Sequence, residues 1–361
     1  MSPVIGLSID DLDSPALVLD AAAVERNLRR MADFFRDKRC RLRPHFKSHK
    51  CTTLARKQLA AGSAAGITCA KLGEAEVLAA AGIQDLLIAN QVVGPRKVAR
   101  LVELAKKAEV KVAVDHVDQI DALSRAAATA GVSVGVLVEV DIGMGRCGVP
   151  AGEPAWELAR EAFRRPGLRF EGIQAYEGHA VFIDDFPERA AKTRQAMEPA
   201  IATRRMIESR GIPVRIFSSG STSTYRITGL IDGVDEIQAG SYPTMDWRYA
   251  QVAPEFEVAL SVLVRVISKR PGAAVLDVGV KGAGAEFGPP QIRDWPEVEI
   301  PRFLSEEHCV VHRAPDWPIG QPLRLVPSHG CTTCNLYREM YVCRDGVVED
   351  VWPIEGAGKL Q

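Results

Sequence analysis

The chain contains no run of 18 apolar residues, so it offers no candidate for a membrane-spanning helix. Nor does it open with a basic stretch followed by a short apolar core: it begins Met1-Ser2-Pro3-Val4-Ile5-Gly6, and no secretory leader is expected. Neither sign of charge is in excess. The 45 Lys and Arg face 46 Asp and Glu without a large basic cluster, which argues against a nucleic-acid or anionic-membrane partner. Regularly spaced cysteines are also missing. Cys40, Cys51, Cys69, Cys147, Cys309, Cys331, Cys334 and Cys343 are scattered, unlike a secreted disulfide framework, and free buried thiols are expected. Cys331-x-x-Cys334 has no second such pair with which to build a zinc ribbon. There is no internal repeat and no low-complexity linker. The expectation is therefore a soluble, cytoplasmic protein with a small-molecule partner.

What is present is size and alternation. A chain of 361 residues exceeds the length at which single cores usually stop growing, so a large domain plus a smaller one is expected. From about residue 40 to 242, short β-rich apolar segments alternate with stretches of helical period, the pattern of a parallel sheet with helical crossovers. Eight strands are predicted. They end near Lys47, Ala70, Asn90, Asp115, Asp141, Tyr176, Ser218 and Ala239, and eight is the closing number of a (β/α)8 barrel. Helices are predicted over residues 21–37 behind the cap Asp20, over 95–107 behind Gly94, and over 188–210 before Gly211. After residue 256 helical period fades and Pro- and Gly-rich turns separate β-type runs. The fold class expected is α/β: a TIM-type barrel over 22–255 and a β-rich C-terminal domain over 256–361, to which residues 1–21 are added. The early strand 15–20 suits either part.

Residues 43–50 read Arg43-Pro44-His45-Phe46-Lys47-Ser48-His49-Lys50 and place an amine between two imidazoles where an apolar run stops. Neighbouring cations (Arg43, Lys50, a protonated His) and partial desolvation would favour the neutral amine that attacks a carbonyl, making Lys47 a candidate Schiff-base former. In a barrel the C-terminal strand ends form the catalytic face. Lys47, Asn90, Arg146 and Tyr176 fall there, and the loops after strands seven and eight read Ser219-Gly220-Ser221-Thr222-Ser223-Thr224 and Gly240-Ser241-Tyr242. Their backbone N–H groups and hydroxyls suit a phosphate. The string Gly143-Met144-Gly145-Arg146-Cys147-Gly148 matches a dinucleotide fingerprint, but Val149-Pro150 follows where that fingerprint must open a helix, so Arg146 reads instead as a cation beside a cofactor ring. Near the end, Ser328-His329-Gly330-Cys331 in an extended segment would project imidazole and thiolate to one face. They form a borderline-soft pair suited to Zn²⁺, with water and substrate completing the shell. Cys331 and Cys334 alternatively read as a redox pair or as packed thiols.

Taken together, Arg-Pro-His-x-Lys-x-His-Lys, Thr68-Cys69-Ala70 with Glu74-Ala75-Glu76, Asn90 with Val92-Val93-Gly94, Asp141-x-Gly-x-x-Arg146-x-Gly148, Gln174-Ala175-Tyr176, Gly220-x-Thr222, Ala239-Gly240-Ser241-Tyr242 and His329-x-Cys331 resemble one family. It is that of the fold type III pyridoxal 5'-phosphate enzymes grouping D-threonine aldolases with eukaryotic-type D-serine dehydratases, related in the barrel to alanine racemase. The resemblance is nearly full length. It implies a barrel joined to a β-domain, a homodimer, and pyridoxal phosphate held through an imine by Lys47. It further implies that Thr222, Gly240, Ser241 and Tyr242 hold the phosphate and that Arg146 and Tyr176 contact the ring. His329 and Cys331 would bind a divalent metal: zinc, or else manganese or magnesium. His-x-Cys resembles the dehydratases of the family, whereas Asn335-Leu336-Tyr337 and the tail Val351-Trp352-Pro353-Ile354 look aldolase-like. The implied activity is retro-aldol cleavage of a β-hydroxy-D-amino acid to glycine and an aldehyde; the alternatives are β-elimination to a keto acid and ammonia, racemisation, or a non-catalytic cofactor carrier.

Overall fold

The computed structural model describes residues 4–301 and 304–361, and the chain divides into two compact units. One, the barrel, gathers Ala32–Lys47, Ala55–Gly240 and Lys359–Gln361. The other, the β unit, gathers residues up to Met31, Ser48–Leu54 and Ser241–Gly358.

The barrel is built on eight parallel strands: Arg41–Leu42, Ile67–Cys69, Asp85–Gln91, Glu109–Val114, Val134–Asp141, Leu168–Ala175, Ile216–Ser219 and Glu236–Ile237. From the second onward, each pairs with its successor, and the eighth pairs with the first. Isolated parallel bridges, Leu42 to Ala64 and His45 to Thr68, join the first strand's segment to the second's. All eight predicted strands are found, because strands covered on both faces read as unbroken apolar runs. Val134–Asp141 is buried at its first seven positions. The first strand is shorter than expected. Pro44 donates no amide hydrogen to a ladder, and the chain leaves the sheet for a 3-10 turn, Phe46–Ser48, so Lys47 sits on a turn and not at a strand end.

The predicted helices appear as Ala21–Phe35, Pro95–Ala105 and Phe186–Ser209. Asp20 accepts the Ala23 N–H at 2.9 Å, Gly94 precedes Pro95 with φ +96°, and Asp185 accepts the Glu188 N–H at 2.7 Å.

In the β unit the sheet runs Gln291–Ile292, Pro322–Val326, Leu260–Arg270, Ala16–Asp20, Glu339–Arg344, Val347–Pro353. Ala273–Leu276 branches from Leu260–Arg270 and carries Cys309–His312. The early strand therefore belongs here, at the middle of the sheet. It pairs antiparallel with Leu260–Arg270 and parallel with Glu339–Arg344, and Leu17 and Leu19 are completely buried. No described helix is long and apolar enough to cross a membrane.

Candidate active site

Within the barrel, Lys47 lies on the 3-10 turn after the first strand, Asn90 near the end of the third, Arg146 in the loop after the fifth, and Tyr176 directly after the sixth. Lys47 is half-buried, and its backbone N–H points at His45 Nδ1, 3.4 Å away. The segment leading to it is laced to the eighth strand by Arg43 N–H to Ile237 O (2.8 Å) and His45 N–H to Ala239 O (3.0 Å). Arg43 is not the bare cation that the sequence suggested. It is 1% exposed, forks onto Glu236 with two bonds of 2.7 Å, and reaches Asp85 at 2.7 Å, so its charge is spent on carboxylates.

Arg146 and Tyr176 come together, with the guanidinium 5.6 Å from the ring centroid, within cation–π range. The glycine-rich loop carrying Arg146 folds over Asp141, whose carboxylate accepts the N–H groups of Gly143 (3.0 Å) and Gly145 (3.1 Å). The next helix begins only at Glu153, so the dinucleotide reading is dismissed. Thr222 is 1% exposed within the loop after the seventh strand. The chain passes from barrel to β unit between Gly240 and Ser241. In the β unit Tyr242 is 1% exposed with its ring against Phe256 (5.9 Å), and the Ser241 carbonyl accepts the Met245 N–H at 2.7 Å.

The β unit places His329 and Cys331 together, by a geometry that differs from the one expected. The segment is not extended: His329 is the N-cap of the helix Gly330–Leu336, and Cys331 lies in its first turn. Asp246 organises this corner. One of its oxygens accepts the Gly330 N–H (2.8 Å), and the other caps the helix Trp247–Val252 through the Tyr249 N–H (2.8 Å). Burial raises the Asp246 carboxyl's pKa against these bonds. Cys331 lies near enough to His329 and to Ser48 for both to act on its thiol. Burial pushes the Cys331 thiol up, but His329, then Ser48, outweigh it and leave its pKa lowered. Burial likewise works against the imidazolium, yet Cys331, Glu286 and Asp246 raise His329 to about 9. An imidazole and a thiol that favour each other's charge are poised to exchange protons for a cation.

Glu286 and Phe287 were not legible as site residues. Glu286 Oε1 lies 2.6 Å from His329 Nδ1, and the Phe287 ring stacks on the imidazole at 4.3 Å and 32°. Gly284 lets their loop come this close, since a Cβ there would strike Thr332 and lie 2.9 Å from the His329 carbonyl oxygen. A carboxylate on Nδ1 fixes the tautomer whose Nε2 lone pair ligates a metal. The donor set thus fits a cation with two protein ligands. Among the described residues no group of three or more His, Cys, Asp and Glu could hold a metal, and such a two-ligand site leaves coordination positions open. Cys334 is wholly buried, and burial holds its thiol well above the ordinary range, which suits packing and not redox exchange.

Comparison with known proteins bears on both units. The family model "Alanine racemase, N-terminal domain" matches residues 19–246, and a model for a serine dehydratase domain matches 259–343. A D-threonine aldolase from Arthrobacter sp is 42% identical over 96% of this chain and 93% of its own length. Among solved structures, D-threonine aldolase from Filomicrobium marinum superposes with a TM-score of 0.95 at 38% identity, covering 99% of both chains. D-threo-3-hydroxyaspartate dehydratase from Delftia sp. HT23 has a TM-score of 0.87 at 29% identity, covering 96% of this chain and 98% of that one.

Proposed function

Since the chain belongs to the fold type III pyridoxal-phosphate-dependent family and is a lyase of it, we propose that it cleaves β-hydroxy-D-amino acids between Cα and Cβ, releasing glycine and an aldehyde. Membership sets aside the non-catalytic carrier, and identity to an aldolase along nearly the whole chain favours this bond. The observation that carries the reading is the 42% identity to a D-threonine aldolase over 96% of the chain; the His329–Cys331 pair with Glu286 on Nδ1 supports a metal-assisted step at a β-hydroxyl, which both lyase readings share. A substrate bearing a β-hydroxyl is what such a pair, holding a cation, has reason to meet.

Lys47 Nζ would bind the cofactor's carbonyl carbon. Thr222, Gly240, Ser241 and Tyr242 would hold its phosphate, while Arg146 and Tyr176 would flank its ring. His329 Nε2 and Cys331 Sγ would hold the divalent cation, with zinc the best match to one nitrogen and one sulfur. When bound, the cofactor supplies an electron sink at Cα and the cation polarises the β-hydroxyl. Asp246, through the Gly330 N–H, and Glu286, through His329 Nδ1, would keep the two ligand residues in place, and Ser48 would favour the thiolate. We also propose a homodimer, for which sedimentation at twice the chain mass is expected.

The second reading is the dehydratase. It is favoured by the His-x-Cys pair and by the Delftia structure. There Lys47 Nζ would remove the Cα proton and the hydroxyl would leave. Incubation with D-threonine and with D-serine, with glycine, acetaldehyde, keto acid and ammonia quantified, separates the two. Glycine with an equal amount of acetaldehyde from D-threonine is expected. Keto acid and ammonia without glycine would transfer the assignment to the dehydratase, and no product of either kind would defeat both.

A further inference from the structure

The loop between the seventh barrel strand and the short helix Tyr225–Thr228 is organised by one buried carboxylate that the sequence did not flag. Glu177 has no solvent exposure. Its Oε1 accepts hydrogen bonds from Thr224 Oγ1 (2.7 Å) and Thr228 Oγ1 (2.5 Å). Its Oε2 accepts from Ser219 Oγ (3.1 Å) and from the Gly220 N–H (3.3 Å). A buried carboxylate must be satisfied by donors, and here three hydroxyls and one amide supply them. Each hydroxyl is thereby fixed in direction. With its own proton committed, Thr224 Oγ1 can only accept, and it does so from the Ser221 N–H (3.0 Å) and the Ser221 hydroxyl (3.1 Å). Ser223 donates to the Val181 carbonyl at 2.7 Å. Thr222 is therefore flanked on both sides by side chains locked into this network. The backbone enters the loop through Gly220 at φ +82°, where a Cβ would also lie 2.8 Å from Ile237 Cδ1.

We infer that Glu177 is a positioning residue for the cofactor phosphate, acting through Ser219, Gly220 and Thr224 to set the loop that carries Thr222. This rests on the reading of that loop as the phosphate holder. A bare carboxylate would repel a phosphate, so its four donors serve twice: they hold the loop and they turn the carboxylate's charge inward, onto the protein's own dipoles. Glu177→Gln offers an NH₂ where two donors now point. At the Oε2 position that NH₂ meets the Gly220 N–H, which cannot reverse, and at Oε1 it meets Thr224 Oγ1, which already accepts from Ser221.

The test compares dissociation constants of the full-length chain for pyridoxal phosphate and for pyridoxal, the same cofactor without phosphate, with Thr222→Ala as reference. In Glu177→Gln, affinity for pyridoxal phosphate is expected to fall about tenfold or more, while that for pyridoxal stays within about twofold and the circular dichroism spectrum is preserved. Equal weakening of both ligands, which a merely structural role would give, overturns the inference. If Thr222→Ala is phosphate-selective and Glu177→Gln is not, the inference fails while the loop keeps its role; if neither is selective, both fall. Should Glu177→Gln not fold, Thr228→Val removes one donor at nearly constant shape. A selective loss of about threefold or more is then expected, and its absence overturns the inference.

Discussion

His329 is held on two sides by neighbours of different chemistry, a carboxylate at Nδ1 and an aromatic ring across its face, and its charge and that of the Cys331 thiolate favour each other. Of these, Glu286 most directly sets the ring's tautomer. Glu286→Gln is expected to weaken zinc binding by about ten- to hundredfold, measured by competition with a chromophoric chelator; an unchanged affinity would remove Glu286 from the site. Lys47 carries the complementary claim in the barrel. Lys47→Ala should purify without the visible absorbance of imine-bound cofactor, and a surviving band would move the role to Lys50 or elsewhere. Lys47 and His329-x-Cys331 could be singled out in the sequence because unusual residue types cluster within a few positions. Glu286 and Glu177 could not, since single acidic residues far from their partners in sequence look like any solvated charge.

At the level of strands and helices, the first barrel strand is tied to the third and eighth by Arg43 as much as by its two-residue ladder. Arg43→Met would leave the buried Glu236 unpaired and should destabilise the protein by about 3–5 kcal/mol, read as a lowered thermal or urea midpoint; a change under about 1 kcal/mol would contradict the assignment. The same cluster predicts a pH dependence. Burial acts to raise the Asp85 carboxyl, but Arg43 and Lys111 outweigh it and hold its pKa below the ordinary value. Its stabilising contribution is thus complete above the unfolded carboxylate range of about 4 and is lost as pH falls through the depressed folded value. Arg43→Met should reduce the slope of stability against pH in that acidic window. The eight strands were legible because burial on both faces writes itself as apolar runs, and the helix starts because Asp20 and Gly94 mark them. The turn at Lys47 and the helix after His329 were less so. A two-residue strand carries no period, and an Asp246 carboxylate more than eighty positions away stabilises the first turn of Gly330–Leu336.

For the whole molecule, the cofactor chemistry proposed for Lys47 and the Lewis acidity proposed for His329 and Cys331 can be tested separately. Chelation should therefore abolish turnover of D-threonine while leaving the cofactor's absorbance in place, with zinc restoring activity. The most direct measurement is glycine release from D-threonine by the His329→Ala holoenzyme, with cofactor absorbance and bound metal recorded on the same sample. The account predicts an intact cofactor band, metal lost, and glycine formation reduced by at least about a hundredfold. Glycine release at the unsubstituted rate, with the metal gone, would contradict it.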